Sequence, residues 1–312
     1  MARNNNTAMK SKSRFHLRDR RIADSEVLTE LLRSACLKLR DPLIGSGLSK
    51  YRLFARGNAF IDSLPKPNRV KTRVKIHGNI LYLDSNDALD LSINGTWEIT
   101  ETKLIKNLVK KGDVALDIGA HIGYYTLLLA KLVGRSGEVI GFEPDPDNFQ
   151  LLKKNVMVNG YTNTILESKA ISNTVGVVTL YRSALSSGKG KLHNSTNCEP
   201  IQVDAVTLDS YFAGYERGID FIKMDAEGAE ACILQGADSV LRKNPHMKII
   251  TEFYPTMITS CGDDPGDFLH TLSAYGFSFY DINERKKRVM PIDMQTILKT
   301  YSTELTNLLC VR

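Results

Sequence analysis

No Cys-x-x-Cys pair occurs among these 312 residues, and the five cysteines (Cys36, Cys198, Cys232, Cys261 and Cys310) are odd in number and scattered. That spacing fits neither a disulfide framework nor a zinc site, so each thiol reads as a small apolar residue. Long hydrophobic runs are missing as well. The longest apolar stretch, Tyr124 to Val133, is interrupted by Lys131 and falls far short of the ~20 residues a membrane-spanning helix needs. No apolar segment follows the basic N-terminus in the manner of a secretory signal, so the expected compartment is the cytoplasm. No internal repeat is visible.

What is present is a composition with 42% hydrophobic and 24% charged residues, ordinary for a globular chain with a real core. The formal charge of +6 is unevenly spread. Residues 1–75 hold 18 Lys/Arg against 6 Asp/Glu, and residues 76–312 hold 23 against 29. A basic front end therefore precedes a mildly acidic body. Residues 1–21 are polar, basic and aperiodic, and are expected to form a disordered arm. Its only aromatic residue is Phe15, so no base-stacking platform is written into it. Such an arm could touch RNA phosphates, an anionic membrane surface or a charged sugar.

Residues 22–95 are expected to form an N-terminal extension. Val27, Leu28, Leu31, Leu32, Ala35, Cys36 and Leu39 recur at helical spacing, and Val74–Ile76 with Ile80–Leu83 read as a hairpin around His77-Gly78-Asn79. A helix is predicted over 98–110. From residue 96 the chain reads as an α/β domain running to 312. Strands predicted at 114–118, 138–143, 164–169, 220–225 and 248–253 are mostly separated by helices at 124–133, 146–159, 229–242 and 266–275. That alternation specifies a mostly parallel sheet with helices on both faces, a Rossmann-like architecture. Val175–Leu180 and Ile201–Val206 read as an extra antiparallel pair, with residues 183–200 between them long enough to serve as a lid. Segments 277–282 and 306–311 supply further strands.

The strongest local signal is Val114–Thr126, VALDIGAHIGYYT. A buried strand carries Asp117 near its end, a turn runs through Gly119 and Gly123, and a helix opens at Tyr124, leaving free N–H groups at its start. The next strand ends in Gly141-Phe142-Glu143-Pro144, which places a carboxylate to accept hydrogen bonds from both hydroxyls of a ribose. A dinucleotide would call for G-x-G-x-x-G at this turn. Here Ala120 and His121 stand where a pyrophosphate would be crowded, and no G-x-x-x-x-G-K-[ST] loop occurs. An adenosine ligand without pyrophosphate chemistry points to S-adenosylmethionine.

A second constellation is Asp220–Glu230, DFIKMDAEGAE, where Asp225 emerges at the carboxyl end of another strand. Acids there also cap helices, a reading that suits Glu230 better than Asp225. DIGAHIGYYT, GFEPDPDNFQLLKKNVMVNG and IKMDAEGAE, in that order, resemble the FkbM-type family of S-adenosylmethionine-dependent O-methyltransferases over about residues 97–255. The resemblance implies a seven-stranded class I methyltransferase fold. It implies that Asp117, Gly119 and Gly123 hold the amino-acid end of the cofactor, that Glu143 holds its ribose, and that Ala170 and Ile171 lie beside its adenine. Ala120, His121 and Asp225 complete the expected cofactor set. The acceptor it implies is a hydroxyl of a sugar, glycolipid or natural product.

Methyl transfer to a hydroxyl benefits from a general base within hydrogen-bond reach. Asp225 is the first choice and Glu227 the second, followed by His121 and by Glu252 in the strand-end run ITEFYP. Glu252 could instead pair with Lys223 across adjacent strands. Asp225, Glu227 and Glu252 also offer oxygen ligands of the kind that suit Mg²⁺, although no spacing requires a metal and no metal ligand is assigned. Two rival readings are an RNA methyltransferase that uses the basic arm and a non-enzymatic S-adenosylmethionine-binding module. Because every motif falls in the net acidic body, the charge split argues against nucleic acid and for a small or glycan acceptor. Oligomeric state is left open.

Overall fold

The computed structural model describes residues 72–84, 89, 91–183, 190–191 and 198–312. The chain divides into two units, 1–71 and 72–312. The expected arm at 1–21, the helix after it and most of the 183–200 lid lie outside the described residues.

The hairpin is formed by β1 (Arg73–Ile76) and β2 (Asn79–Tyr82). His77 and Gly78 both have positive φ at its turn, the geometry that matches the twist of paired strands. Asn155 and Asn159 fasten β2 with their side-chain amides. Asn155 accepts from the Tyr82 N–H at 2.7 Å and donates to the Tyr82 carbonyl at 3.0 Å, and Asn159 does the same at Ile80, at 2.8 and 2.7 Å. The short helices α1 (Leu91–Asn94) and α2 (Ile99–Leu108) follow.

The body is built from β3 (Val114–Ile118), α3 (Tyr124–Val133), β4 (Glu138–Phe142), α4 (Pro146–Val158), β5 (Thr164–Glu167), β6 (Ala170–Ile171), β7 (Gly176–Ser183), β8 (Gly190–Lys191), β9 (Cys198–Val206) and α5 (Leu208–Tyr211). It continues through β10 (Phe221–Met224), α6 (Glu230–Gln235), α7 (Asp238–Lys243), β11 (Lys248–Phe253), α8 (Pro255–Ser260), α9 (Pro265–Ala274), β12 (Ser278–Asn283), β13 (Arg288–Ile292), α10 (Met294–Thr300) and β14 (Thr306–Val311). The central sheet has the order β13-β12-β14-β11-β10-β3-β4-β5. Strands β5, β4, β3, β10 and β11 pair in parallel, and β14 enters antiparallel between β11 and β12. This is the α/β class I methyltransferase architecture, with β13 as an eighth strand beyond the seven expected. Pro291 within β13 is tolerated because β13 is an edge strand.

Alternation along the strands builds a core on each face. Leu116, Ile118, Ile140 and Phe142 pack with residues of α6, α7 and α9, while Ala115 and Val139 pack with residues of α2, α3 and α4. The expected antiparallel pair is present as β7 and β9, in register from Gly176↔Ala205 to Ser183↔Cys198, in a second sheet ordered β6-β9-β7-β8. The helix predicted over 229–242 is two helices. Gly236 lies between them, and a Cβ there would come within 2.5 Å of the Ser172 carbonyl. Gly236 is the C-cap of α6, a residue that favours a helix end, and the packing leaves no room for a side chain there.

Candidate active site

The sheet reverses its winding between β3 and β10, and ligands of open α/β sheets bind at the carboxyl ends of strands at such a point. A cavity of ≈ 490 Å³ lies there, within the range of roughly 300–1,000 Å³ typical of small-molecule sites. Gly119, Ala120 and His121 after β3 line it, as do Glu143 after β4, Ala170 and Ile171 of β6, Asp225 and Glu227 after β10, and Glu252 of β11. Asp117 and Gly123, on the same β3–α3 segment, do not line it. The fold therefore gathers at one sheet edge all the residues singled out in the sequence.

Gly119 has a φ of 81°, and a Cβ there would sit 1.9 Å from the Asp225 carbonyl oxygen. The β3 turn and the β10 turn thus touch backbone to backbone, a contact only glycine permits. Gly119→Ala is expected to force these turns apart, with loss of cofactor binding and a lower melting temperature, read by calorimetry and a thermal scan. Asp117 is buried and accepts from the Thr126 hydroxyl. Burial lifts its carboxyl to about 6, against the pull of Thr126 and Lys223. Gly123 is the N-cap of α3.

Glu143 is buried with both oxygens engaged by backbone, Oε2 by the His121 N–H at 2.7 Å and Oε1 by the Asp145 N–H at 2.9 Å. A carboxylate offers about four lone-pair sites, so each oxygen can still accept from one hydroxyl of a diol. Burial raises its pKa to about 7, opposed by those two N–H groups. Ala170, Ile171 and Leu180 form an apolar wall beside it, with Asn148 and Lys169 at its polar edge. The donor set fits the adenosine part of S-adenosylmethionine. Arg182 pairs with Asp145 at 2.7 Å and with Asp147, tying β7 to the start of α4 next to this wall.

The other half of the cavity is lined by Trp97, Glu98, Tyr125, Asp225, Glu252 and Tyr254, among others. Behind it lies Lys223, 1% exposed, with Nζ 3.4 Å from both Glu101 and Asp225 and 5.1 Å from the centre of the Tyr125 ring. Glu252 is therefore not the ion-pair partner of Lys223. Burial opposes the lysine's charge, but Glu101, Asp225, Glu98 and Glu252 together hold it well above the ordinary lysine range. Burial raises Glu101 to about 8, reinforced by Glu98 and opposed by Lys223. Glu252 is 8% exposed, and its Oε2 has no hydrogen-bond partner. Burial, with help from Asp225, Glu230 and Glu227, lifts it well above the usual carboxylate range. Glu230, expected to cap a helix, makes no side-chain cap on α6 and instead accepts from the Ala226 N–H in the preceding turn at 2.7 Å.

Sequence reasoning missed Trp97, Glu98, Glu101, Asn148 and Tyr254. Glu98 adopts a left-handed conformation (φ 41°) at the start of α2, accepting from the Tyr125 hydroxyl and the Asn307 amide, each at 2.7 Å. An acid at a helix start was legible as a cap, but it makes no side-chain cap there. Among the described residues, no group of three or more His, Cys, Asp or Glu side chains is arranged to hold a metal ion, so the Mg²⁺ expectation finds no support. None of the described helices is long and apolar enough to cross a membrane.

The family model for the methyltransferase FkbM domain matches residues 117–279. Over 82 residues the sequence is 37% identical to a probable cobalt-precorrin-6B C(15)-methyltransferase (decarboxylating) of Saccharolobus solfataricus, covering 25% of this chain and 41% of that protein. Over 52 residues it is 40% identical to a protein-L-isoaspartate O-methyltransferase of Caenorhabditis elegans, covering 17% of this chain and 23% of that one. The chain thus spans less than half the length of these curated relatives. The crystal structure of methyltransferase FkbM from Methylobacillus flagellatus KT aligns over 72% of this chain and 52% of that one, at 14% identity and a TM-score of 0.40.

Proposed function

The chain belongs to the methyltransferase FkbM family, and we propose that it transfers a methyl group from S-adenosylmethionine to a hydroxyl of a sugar, glycolipid or natural product. The observation that carries this reading is the shared cavity, with Glu143 and its apolar wall on one side and the buried, unpaired Glu252 oxygen on the other. S-adenosylmethionine, when bound, supplies an electrophilic methyl group.

The residues divide the remaining work. Glu143 takes the ribose diol, Ala170 and Ile171 flank the adenine, and the backbone of Gly119, Ala120 and His121 holds the amino-acid end, with the Asp117 carboxyl fastened to Thr126 and outside the cavity lining. In-line displacement requires the acceptor oxygen to be held on the far side of the reacting carbon, and such positioning is worth up to ~7–11 kcal/mol. Asp225 and Glu227 stand at the junction of the two halves, where they orient the acceptor. Glu252 is the general base. Asp225, a third exposed, is already engaged by the Lys223 ammonium at 3.4 Å. Glu252 has an oxygen with nothing to accept from and a pKa raised by burial, the condition that suits a base working near neutral pH.

Calorimetric titration of the full-length protein with S-adenosylmethionine, followed by tritium transfer to cell fractions, tests this reading. Absence of cofactor binding rejects it, and label appearing in RNA alone rejects the hydroxyl acceptor. Glu143→Gln is expected to weaken cofactor binding by about 1.5–3 kcal/mol, roughly 10–150-fold, because hydrogen bonds to a charged acceptor are lost. The same titration reads that loss.

A further inference from the structure

The acceptor half of the cavity holds more carboxyl groups than a proton abstraction uses. Lys223 is shared by Glu101 and Asp225. Glu98 and Glu252 also face the cavity, and neither forms an ion pair with a cation among the described residues. Glu252 is more than nine-tenths buried, with an oxygen that accepts from nothing. Glu98 is held rigidly by Tyr125 and Asn307, in a backbone conformation that a non-glycine residue adopts only when its surroundings over-determine it. Next to it, Trp97 and Tyr254 contribute aromatic surface to the wall.

We propose that the acceptor carries a protonated amine close to the hydroxyl that is methylated, and that this amine is seated between the Glu98 carboxylate and the Trp97 ring. This deepens the methyltransferase reading and rests on it. A carboxylate that is already fixed forms a strong charge-assisted bond without an ordering cost, and an aromatic face attracts the same cation. S-adenosylmethionine brings its cationic sulfonium to the reacting centre, whereas a neutral polyol would bring no cation to the Glu98 carboxylate. Burial raises the Glu98 carboxyl, while Lys223 pulls it down. A second cation beside it would act in the same direction as the lysine and favour the ionised form. An amino sugar, or another polyol with a basic nitrogen, meets these requirements.

Trp97 is the only tryptophan in the sequence, so intrinsic fluorescence reports on this wall directly. The full-length protein, loaded with S-adenosylhomocysteine, would be titrated with methyl glucosaminide, methyl glucoside and methyl N-acetylglucosaminide. The amine is expected to bind at least about tenfold more tightly than either neutral glycoside, and Glu98→Gln is expected to bring the three affinities together. Equal affinities in the wild type, tighter binding of a neutral glycoside, or no saturable response to any of the three overturns the proposal. If Glu98→Gln does not fold, the wild-type comparison decides alone. Calorimetry of S-adenosylhomocysteine on the same sample separates the two failures: a protein that binds it without preferring the amine loses only this inference.

Discussion

Glu252→Gln is expected to lower methyl transfer by roughly 10²–10⁴-fold, the usual contribution of a positioned general base, while leaving S-adenosylmethionine affinity nearly unchanged. Glutamine keeps the shape and the β11 pairing of Glu252 with Asn307, but it cannot take a proton. The loss should therefore fall on kcat and not on cofactor binding. The pH profile gives the sharper test. In the wild type the base works deprotonated, and its pKa lies well above the ordinary carboxylate value, so the rate should rise with pH through that raised pKa. In Glu252→Gln this rise should disappear. Asp225→Asn provides the control. It removes a partner of Lys223, so its cost should appear in thermal stability as well as in rate. A rate collapse in Asp225→Asn with normal turnover and an unchanged pH profile in Glu252→Gln would give the base role to Asp225.

The cofactor side of this cavity was legible because its signals are local. Asp117, Gly119, Glu143 and Asp225 each fall at the end of an apolar run of strand length, and the parallel sheet then brings all strand ends to one edge. The acceptor side left no such trace. Glu101 comes from α2 and Glu98 from its N-cap, distant in sequence from β10 and β11, and only tertiary packing brings Glu101 to Lys223 and Glu98 to the cavity. The one local hint is the lysine itself, a cation in the middle of the otherwise apolar strand FIKM, all of it buried. A charge is rarely placed there without partners, but the sequence does not say which acids supply them. The pairing expected across neighbouring strands, with Glu252, is not made: Glu252 lies diagonal to Lys223, beyond Ile250, and the lysine turns to Glu101 and Asp225. The break at Gly236 did carry a local sign, a glycine at a helix C-cap, and the Ser172 carbonyl packed against it excludes a larger residue.

Lys223→Met is expected to destabilise the fold by about 3–5 kcal/mol, the cost of leaving buried charges without their partner, or a fall of roughly 6–20 °C in melting temperature for a domain of this size. Lys223 is buried beneath the cavity and is the cation that Glu101 and Asp225 share. The loss should depend on pH with a definite sign. In the folded wild type burial raises Asp117 to about 6, Glu143 and Glu230 to about 7, and Glu101 to about 8, against ordinary values of 3.8 for the aspartate and 4.5 for the glutamates. Between about pH 4 and pH 8 the folded state therefore binds more protons at these groups than the unfolded chain does. Their contribution to stability is greatest at the acid end of that window and is lost as pH rises through it. Removing the lysine pushes Glu101 higher still, since the cation that lowers it is gone. The deficit of Lys223→Met should accordingly be larger at pH 8 than near pH 4.5, where Glu101 is protonated in the folded state. Thermal scans of both proteins across that range provide the comparison. Pairing the substitution with Glu101→Leu should recover much of the loss, because an apolar pair in place of a buried ion pair is often neutral or better. A pH-independent deficit, or a double variant no more stable than Lys223→Met alone, would place the lysine's contribution in packing against Tyr125 instead of in charge.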